Sequence, residues 1–427
     1  MSTSIPRIAV VGAGPGGLML ASILHKHGIS CTIFERDSSA AARDQGGSLD
    51  IHDDTGQKAL DAAGLLDEFR SLVRVDGEAT RIIKKDGTVL FEDDGARENT
   101  LPEDGGNQQE EPETKYIEGR PEIDRPALKN LLISSLPADT IRWASKVTSV
   151  TPIQGSRQWE VKLDGESEPL HFDLVVGADG ARSCIRSLLT NQEPIFSGIT
   201  ALDVWKHHGD ETAPDVSAFV GPGSVFMFDK DRALFFQRGG QGPEANVRCY
   251  ACVKTFSKFP PTAKELLGLE NGGSEDLEVN WEEARTREGF IERNFGDWSP
   301  EVKHVVQAIN ENPVLRPLYM LPVGLKWESR PGITLLGDAA HLMTPFAGAG
   351  VNTALMDALE LAQGIMHCLE AENTDDEGLA AMIQRYETGM FVRSGQVAAK
   401  TNAAMHTIFG EDGAEKMIAM MGPGPDT

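Results

Sequence analysis

The sequence has few cysteines and a shortage of basic side chains. Forty lysines and arginines stand against 65 aspartates and glutamates, so the formal net charge is −25. Such an acidic chain repels nucleic acid and anionic membrane surfaces, and neither is expected as a partner. The five cysteines are an odd number, and residues 1–6 lack the length and charge of a secretory leader. Both features favour a reducing compartment, so the protein is expected in the cytoplasm.

The sequence also lacks an apolar run long enough for a membrane span, which takes about 18 to 20 residues. Its 427 residues exceed what one hydrophobic core usually holds, so two domains are expected. Cys249 and Cys252 lie in a strand-like stretch, where residues three apart point to opposite faces of a sheet. His207 and His208 have no second metal-spaced set beside them. No metal is therefore expected.

Glycine is plentiful, and its most informative cluster lies near the start of the sequence. Apolar residues 8–11 lead into Gly12-Ala-Gly14-Pro-Gly-Gly17, and a second apolar segment ends at Glu35. In a G-x-G-x-x-G turn the glycines permit the tight turn, the close approach of a pyrophosphate and the packing of the next helix on the strand. The helix N-terminus can bind the diphosphate, and Glu35 can bind a ribose hydroxyl. The spacing predicts a dinucleotide-binding unit, and Arg36 fits FAD as well as NAD.

Two further strand-to-loop patterns each deliver an aspartate to a glycine-rich turn. Residues 174–176 precede Asp179-Gly180, and residues 333–336 precede Gly337-Asp338. Because open α/β sheets bind ligands at the carboxyl ends of their strands, both turns are candidate ligand positions. Asp338 can accept a hydrogen bond from a ribose or ribitol hydroxyl. The N–H groups of residues 348–352, at the start of the next predicted helix, can stabilise negative charge.

The middle of the chain has a different pattern, which predicts a second domain. An Asp-Gly turn indicates a hairpin over residues 80–92, and an acidic, loop-like stretch follows over residues 92–115. Short strand-like segments between glycine-rich turns then predict an antiparallel sheet. The predicted strands cover residues 216–220, 224–228, 233–237 and 246–253, and helical patterns cover residues 55–70, 280–295, 300–310 and 379–421.

These motifs together resemble the class A flavoprotein monooxygenases, the aromatic hydroxylase family. The resemblance is carried by Gly12 to Gly17 with Glu35, then Asp179-Gly180, then Gly337-Asp338 with Pro345 and Gly348-x-Gly350. Within the family, the stretch Gly46 to His52 with Gly56-Gln57, and the stretch Gly119 to Arg125, look most like the flavin-dependent tetracycline-inactivating monooxygenases.

The resemblance implies an α/β fold with a glutathione-reductase-type Rossmann FAD domain, similar to that of para-hydroxybenzoate hydroxylase. An antiparallel-sheet substrate domain and a C-terminal helix would complete it, and a monomer is expected. The implied FAD domain is discontinuous and takes residues 1–78, 116–190 and 317–375. The implied substrate domain takes residues 79–115 and 191–316, and the C-terminal helical segment takes residues 376–427.

The resemblance also implies FAD and NADPH as cofactors. The family has no separate nicotinamide domain, and this sequence shows only one glycine fingerprint. The NADPH positions implied are Arg43 and Asp179. The FAD positions implied are Gly12, Gly14, Gly17, Glu35, Arg36, Asp50, Arg120, Asp338, Gly348, Gly350, Val351 and Asn352.

The chemistry implied by the family is reduction of FAD by NAD(P)H, reaction with O2 to a C4a-hydroperoxide, and oxygen transfer to an aromatic, phenolic or polyketide-type small molecule. Since the cofactor carries this chemistry, no set of catalytic side chains is expected. One alternative is a non-catalytic ligand-binding protein on the same fold. Another is a flavin-dependent halogenase, although the halogenase motif Trp-x-Trp-x-Ile-Pro is absent from this sequence.

The sequence departs from the tetracycline-inactivating enzymes at the substrate. Their tetracycline-binding glutamine, arginine and histidine correspond to Ala201, Ser224 and Arg248 here. Polar contacts contribute about 1 kcal/mol or more each, so this loss disfavours tetracycline as the native ligand. Strand periodicity leaves open whether the remaining candidates face a ligand or the core. The candidate substrate residues are Arg248, Phe226, Phe235, Gln237, Pro345 and Phe346.

Overall fold

The computed structural model describes residues 6–42, 47–74, 76–95, 115–240, 242–269 and 279–421. Arg43 and most of the predicted acidic loop over residues 92–115 therefore lie outside the described residues.

The strands of the described chain lie between Ile8 and Leu335. They are β1 (Ile8–Val11), β2 (Cys31–Phe34), β3 (Ser48–Asp50), β4 (Thr80–Ile83), β5 (Val89–Asp93), β6 (Glu122–Asp124), β7 (Ile141–Arg142), β8 (Val147–Pro152), β9 (Trp159–Leu163), β10 (Leu170–Phe172), β11 (Leu174–Gly177), β12 (Ile195–Lys206), β13 (Ser224–Asp229), β14 (Arg232–Gly239), β15 (Asn246–Lys254), β16 (Glu311–Met320) and β17 (Ile333–Leu335).

The α-helices lie between these strands and at the end of the chain. They are α1 (Pro15–Lys26), α2 (Gly56–Ala63), α3 (Leu66–Leu72), α4 (Arg125–Ser134), α5 (Gly209–Thr212), α6 (Pro214–Val220), α7 (Ala263–Leu267), α8 (Ala284–Phe295), α9 (Pro300–Ala308), α10 (Asp338–His341), α11 (Gly350–Glu370), α12 (Asp376–Ile408) and α13 (Gly413–Met421). In the described part of the chain, none is both long and apolar enough to cross a membrane.

The chain forms two compact units. The first comprises Met1–Val73, Arg125–Ile195 and Tyr319–Asn402. Its main sheet is parallel, in the strand order β17-β11-β1-β2-β7. All residues of β1, β11 and β17 are buried, as expected for strands whose two faces are both covered. The helix α1 packs against α11, and a separate antiparallel sheet has the order β10-β9-β8.

The second unit comprises Arg74–Asp124, Phe196–Leu318 and Ala403–Thr427. Its large sheet has the order β16-β12-β15-β14-β13-β4-β5. The neighbours β12, β15, β14 and β13 pair antiparallel, as the sequence predicts. The pair β4 and β13 is parallel, because β4 comes from a distant part of the chain and not from a neighbouring hairpin. The hairpin of β4 and β5 is confirmed.

Three of the predicted elements differ from the structure, one of them being the helical pattern over residues 379–421, which forms the two helices α12 and α13. Residues 216–220 are not a strand, because they form most of helix α6. Pro214 occupies a first-turn position there, and Val216 and Val220, four residues apart, are both buried on one face. The predicted helix over residues 55–70 is two helices, because Gly64 adopts a left-handed conformation, φ 74°, and ends α2.

Candidate cofactor site

Two glycines of the first turn are required by the packing of backbone on backbone. Gly12 has φ 108°, and a Cβ placed on it would lie 2.4 Å from the carbonyl oxygen of Ala178. A Cβ on Gly17 would lie 2.3 Å from the carbonyl oxygen of Gly12. Any side chain at either position would therefore push α1 or β11 away from β1.

Gly14 differs from these two glycines because it has open space beside it. The nearest atom to a Cβ on Gly14 would be the carbonyl oxygen of Ala178, 4.0 Å away, and the backbone of Gly14 is extended. Gly14 is also the N-cap residue of α1 and has no side chain that could cap the helix. The N-terminal N–H groups and the helix dipole are therefore available to an anionic ligand such as a diphosphate.

Glu35 follows β2 and holds the glycine turn in place. Its carboxylate accepts hydrogen bonds from the N–H groups of Ala13, at 2.8 Å, and Asp37, at 2.9 Å. Glu35 is half-buried, and its neighbour Arg36 is exposed. Since each carboxylate oxygen has two acceptor sites, Glu35 retains capacity for a ribose hydroxyl.

The Asp179-Gly180 turn follows β11, the strand next to β1. The Asp179 Oδ2 atom accepts from the N–H group of Cys184 at 2.8 Å. Its Oδ1 atom is buried, and no hydrogen-bond partner for it lies within the described residues. Gly180 has φ 77°, and in the described part of the chain no atom lies within 4 Å of the position that a Cβ would take.

Asp338 follows β17, the next strand of the same sheet, and is exposed to solvent. The surrounding protein nevertheless desolvates this carboxylate, which raises its pKa, while His341, Arg125 and Arg186 act in the opposite direction. Arg125 is one of the side chains that lower this pKa, a role that the sequence analysis does not assign.

Arg186 joins the second and third turns, and sequence reasoning did not identify this role. Its side chain is buried, with 3% exposed. The guanidinium donates to the carbonyl oxygens of Ala181, at 2.6 Å, Ala339, at 3.1 Å, and Asp338, at 3.4 Å. A buried arginine with backbone acceptors at two separate turns fixes the spacing of those turns.

A buried charged network lies behind the third turn. The fully buried Asp357 accepts from the N–H group of Gly337 at 2.9 Å and from Arg393 at 2.7 Å, and it pairs with Nε2 of His341 at 2.5 Å. Burial lowers the pKa of His341, but the carboxylate of Asp357 outweighs this and raises it overall. The pKa of Asp357 is lowered, because His341 and Arg393 outweigh the effect of its burial.

The start of α11 is tied to the segment that follows β3. The buried Asn352 side chain donates to the carbonyl oxygen of Asp50 at 2.8 Å and accepts from the N–H group of His52 at 2.9 Å. Ala349, the N-cap residue, provides no side-chain cap, and no atom of the described residues would lie within 4 Å of a Cβ on Gly350. Helix α11 therefore also presents free N–H groups beside open space.

The structure thus brings several predicted positions together within the first unit. A Cβ on Gly348 would lie 3.2 Å from Oδ2 of Asp50, so the predicted positions Asp50, Gly348 and Asn352 are neighbours. Val351 follows Gly350 in the first turn of α11, and Pro345 and Phe346 lie in the short turn before Gly348. Arg120 belongs to the second unit, where it is exposed and its N–H group donates to Glu78 at 3.1 Å.

The remaining candidate substrate residues all lie in the second unit and share one face of its large sheet. Phe226 pairs with Phe235, and Gln237 pairs with Arg248. Their strand neighbours Val225, Leu234, Phe236 and Cys249 belong to the hydrophobic core on the other face. Within the described residues, no group of three or more histidine, cysteine or acidic side chains is arranged to hold a metal ion.

Comparison with known proteins decides the family. A protein family described as "FAD binding domain" matches residues 6–254 and 327–389 of this chain. The monooxygenase penA of Penicillium thymicola is 31% identical over 84% of this chain and 85% of its own. The chain belongs to the FAD-dependent monooxygenases. The monooxygenase asqM of Emericella nidulans is 30% identical over 97% of this chain and 98% of its own.

Solved structures show that this monooxygenase has the aromatic-hydroxylase fold that the sequence predicts. A salicylate hydroxylase in complex with its substrate matches with a TM-score of 0.70 and 17% identity, over 98% of this chain and 94% of that chain. The tetracycline destructase Tet(51) matches with a TM-score of 0.63 and 17% identity, over 98% of this chain and 93% of that chain. Together with the family match over residues 6–254 and 327–389, these similarities confirm the class A family assignment and FAD as the cofactor.

We expect Gly14→Val to fold but to bind FAD poorly, because the new side chain occupies open space beside an uncapped helix. Gly17→Val is the matched control. Its side chain meets backbone, so it should lower the free energy of unfolding by about 3 kcal/mol or more. FAD content and thermal unfolding of both variants provide the measurement. A Gly14→Val protein that keeps its full FAD content would contradict the assignment.

The pair of His341 and Asp357 predicts a pH-dependent stability. Because the pKa of His341 is raised on folding, its contribution is fully present below the unfolded pKa of about 6.5 and is lost as pH rises through the folded value. His341→Gln keeps a donor to Asp357 but cannot titrate. The wild-type free energy of unfolding should therefore fall more steeply than that of the variant above about pH 6.5. Parallel pH profiles would exclude a stabilising charged histidine.

Proposed function

We propose that this monooxygenase uses NAD(P)H and O2 to hydroxylate an aromatic, phenolic or polyketide-type small molecule. One observation carries the proposal. Strands β1, β11 and β17 are parallel neighbours, so their carboxyl ends open at the same edge of one sheet. The residues immediately beyond those ends are the glycine turn, Asp179-Gly180 and Gly337-Asp338. This edge is where an open α/β sheet binds a dinucleotide.

The residues at this edge fit FAD. The N–H groups at the start of α1, beside Gly14, would hold the diphosphate, with Gly12 and Gly17 shaping the turn. Glu35 would accept from the adenosine ribose, with Arg36 on the adenine side, and Asp338 would accept from a ribitol hydroxyl or line the pyrophosphate. The N–H groups of Gly350, Val351 and Asn352, with Gly348 before them, would stabilise negative charge on the isoalloxazine edge.

When bound, FAD would supply the hydride acceptance and the oxygen activation. The protein would bind and orient the partners and exclude water. Asp50 is held beside Gly348 by Asn352, so a contact to the flavin's extended chain would be fixed by the fold. We also assign Arg120 to the cofactor's extended chain, on the resemblance alone.

We propose NADPH as the electron donor, with Arg43 and Asp179 as its contacts. The Oδ1 atom of Asp179 is buried and has no hydrogen-bond partner among the described residues, which supports a polar ligand at that turn, since a buried oxygen without a hydrogen bond is costly. The role of Arg43 rests on the resemblance. An arginine can pair with phosphate oxygens through two parallel hydrogen bonds.

We propose Phe226, Phe235, Gln237, Arg248, Pro345 and Phe346 as substrate contacts. The first four are supported by their common position on the sheet face opposite the core. Ala201 and Ser224 stand where the tetracycline-inactivating enzymes are expected to have polar groups, and both are buried here. An aromatic substrate other than tetracycline therefore fits better. The proposed reaction would belong to secondary metabolism or to antibiotic inactivation.

The decisive experiment measures NAD(P)H oxidation by the purified flavoprotein with a panel of phenolic polyketides that includes a tetracycline. Mass spectrometry identifies the products. We expect a substrate-stimulated rate and a product one oxygen atom heavier. A protein that binds FAD but is reduced by neither nicotinamide would overturn the proposal and indicate a ligand-binding protein.

We expect Arg43→Ala to raise the KM for NADPH about 10-fold, because hydrogen bonds to charged groups contribute about 1.5–3 kcal/mol. FAD content should not change. The exposed Arg285 gives a matched control, Arg285→Ala, which should leave KM unchanged. Steady-state kinetics with varied NADPH provide the measurement. An unaltered KM would exclude Arg43 from the nicotinamide contact.

A further inference from the structure

We propose that the face of the large sheet opposite the hydrophobic core selects an aromatic substrate that carries an anionic oxygen, a carboxylate or an acidic enol, and that Arg316 binds this oxygen. The inference rests on the proposed function, because it takes this sheet face as the substrate surface. It concerns one residue that the sequence analysis did not identify.

Among the described residues, one buried carboxylate on this face contacts two arginines. Asp203 is fully buried, and its carboxylate receives two hydrogen bonds from Arg248, from Nε at 2.8 Å and from Nη2 at 2.7 Å. The Nε group of Arg316 donates to the same carboxylate at 2.5 Å. Within this cluster of three described side chains, positive charge exceeds negative charge by one.

Arg248 is not the arginine that carries the excess. Its guanidinium carbon lies 4.4 Å from the ring centre of Trp205 and 4.5 Å from that of Tyr250. Only 8% of its side chain is exposed. A planar guanidinium that lies over two rings and binds a carboxylate with two hydrogen bonds already has its preferred partners.

Arg316 carries the excess charge in a form that suits recognition. Its side chain is 46% exposed, and Nε is used by Asp203. No acceptor for its two terminal nitrogens is found among the described residues. Because the bond to Asp203 fixes the plane of the guanidinium, the terminal pair is oriented before a ligand arrives. Such a pair matches the two oxygens of a carboxylate.

The aromatic part of the ligand would lie beyond Arg248. Phe226 and Phe235 are half-buried, with ring centres 5.9 Å apart, and Phe228 lies 5.7 Å from Phe235. The strand order places β16, which carries Arg316, three strands from β14, which carries Phe235. At about 4.8 Å per strand the separation is roughly 14 Å, which suits a molecule of several fused rings.

A purely structural role for Arg316 is the alternative. Arg248 alone supplies two hydrogen bonds and one charge to Asp203, so the buried carboxylate is already neutralised. A second arginine adds a positive charge that this structural role does not require. A binding role of Arg316 can therefore be tested without a loss of stability, because Arg316→Gln should leave the Asp203 and Arg248 pair intact.

The test is calorimetric titration of the flavin-loaded enzyme with anthracene-2-carboxylate and with anthracene-2-carboxamide, three-ring compounds that differ only in the anionic group. We expect wild-type protein to bind the carboxylate about 10-fold more tightly, as a charged hydrogen bond implies. Arg316→Gln should abolish that preference, and Arg316→Lys should retain part of it. The control Arg285→Gln should keep the full preference.

Equal affinity of wild-type protein for the two compounds would overturn the inference, whether or not the variants fold. A preference that survives in Arg316→Gln would overturn it as well. The outcomes are separable from those of the proposed function. An Arg316-dependent preference in a protein that never oxidises NAD(P)H would support the inference and contradict the activity, and turnover without an anion preference would do the reverse.

Discussion

The close approach of three backbone segments in the first unit is the constraint on which the cofactor site depends. Gly12 and Gly17 have no room for a side chain, because the carbonyl oxygens of Ala178 and Gly12 occupy that space. This contact presses α1 onto β1 and brings the end of β11 alongside. Once those elements are in contact, the uncapped start of α1 lies beside the open space at Gly14. The binding capacity is thus a consequence of packing, and no side chain has to be supplied for the diphosphate.

The second and third turns need more support, because they lie on loops and not inside a helix contact. Arg186 binds carbonyl oxygens on both turns, and Asp357 binds the N–H group of Gly337 from behind. Buried charges are costly unless they are paired, and here each has several partners. Asp357 has both His341 and Arg393, so the loss of one partner leaves the carboxylate compensated. The residues at the open edge of the sheet can therefore be small and polar, because Arg186 and Asp357 fix the backbone of these turns.

How much of this could be predicted from sequence depends on the distance along the chain over which each signal acts. The glycine turn, the Asp-Gly hairpin and the helix after Gly350 are local patterns, and the structure confirms them. The strand predicted over residues 216–220 was wrong, because a segment of only five residues rich in apolar side chains fits the periodicity of a strand and that of a helix equally well. Arg186 and Asp203 were missed as site residues since their partners lie far away along the chain, up to 153 residues for Arg186 and Ala339. The roles assigned to Arg43 and Arg120 stay predictions.

The two faces of the large sheet explain why a shared fold can serve different substrates. One face is committed to the core, where Val225, Leu234 and Phe236 pack with α8 and α9, and a change there costs stability. The other face includes the buried pair of Asp203 and Arg248, and also the half-buried side chains of Phe226, Phe235 and Gln237. Substitutions on that face alter charge and shape without disturbing the core. Substrate preference can therefore diverge on that face while the glycine turn and its packing stay constant. For this reason the family can be recognised from the sequence, whereas the substrate is hard to predict.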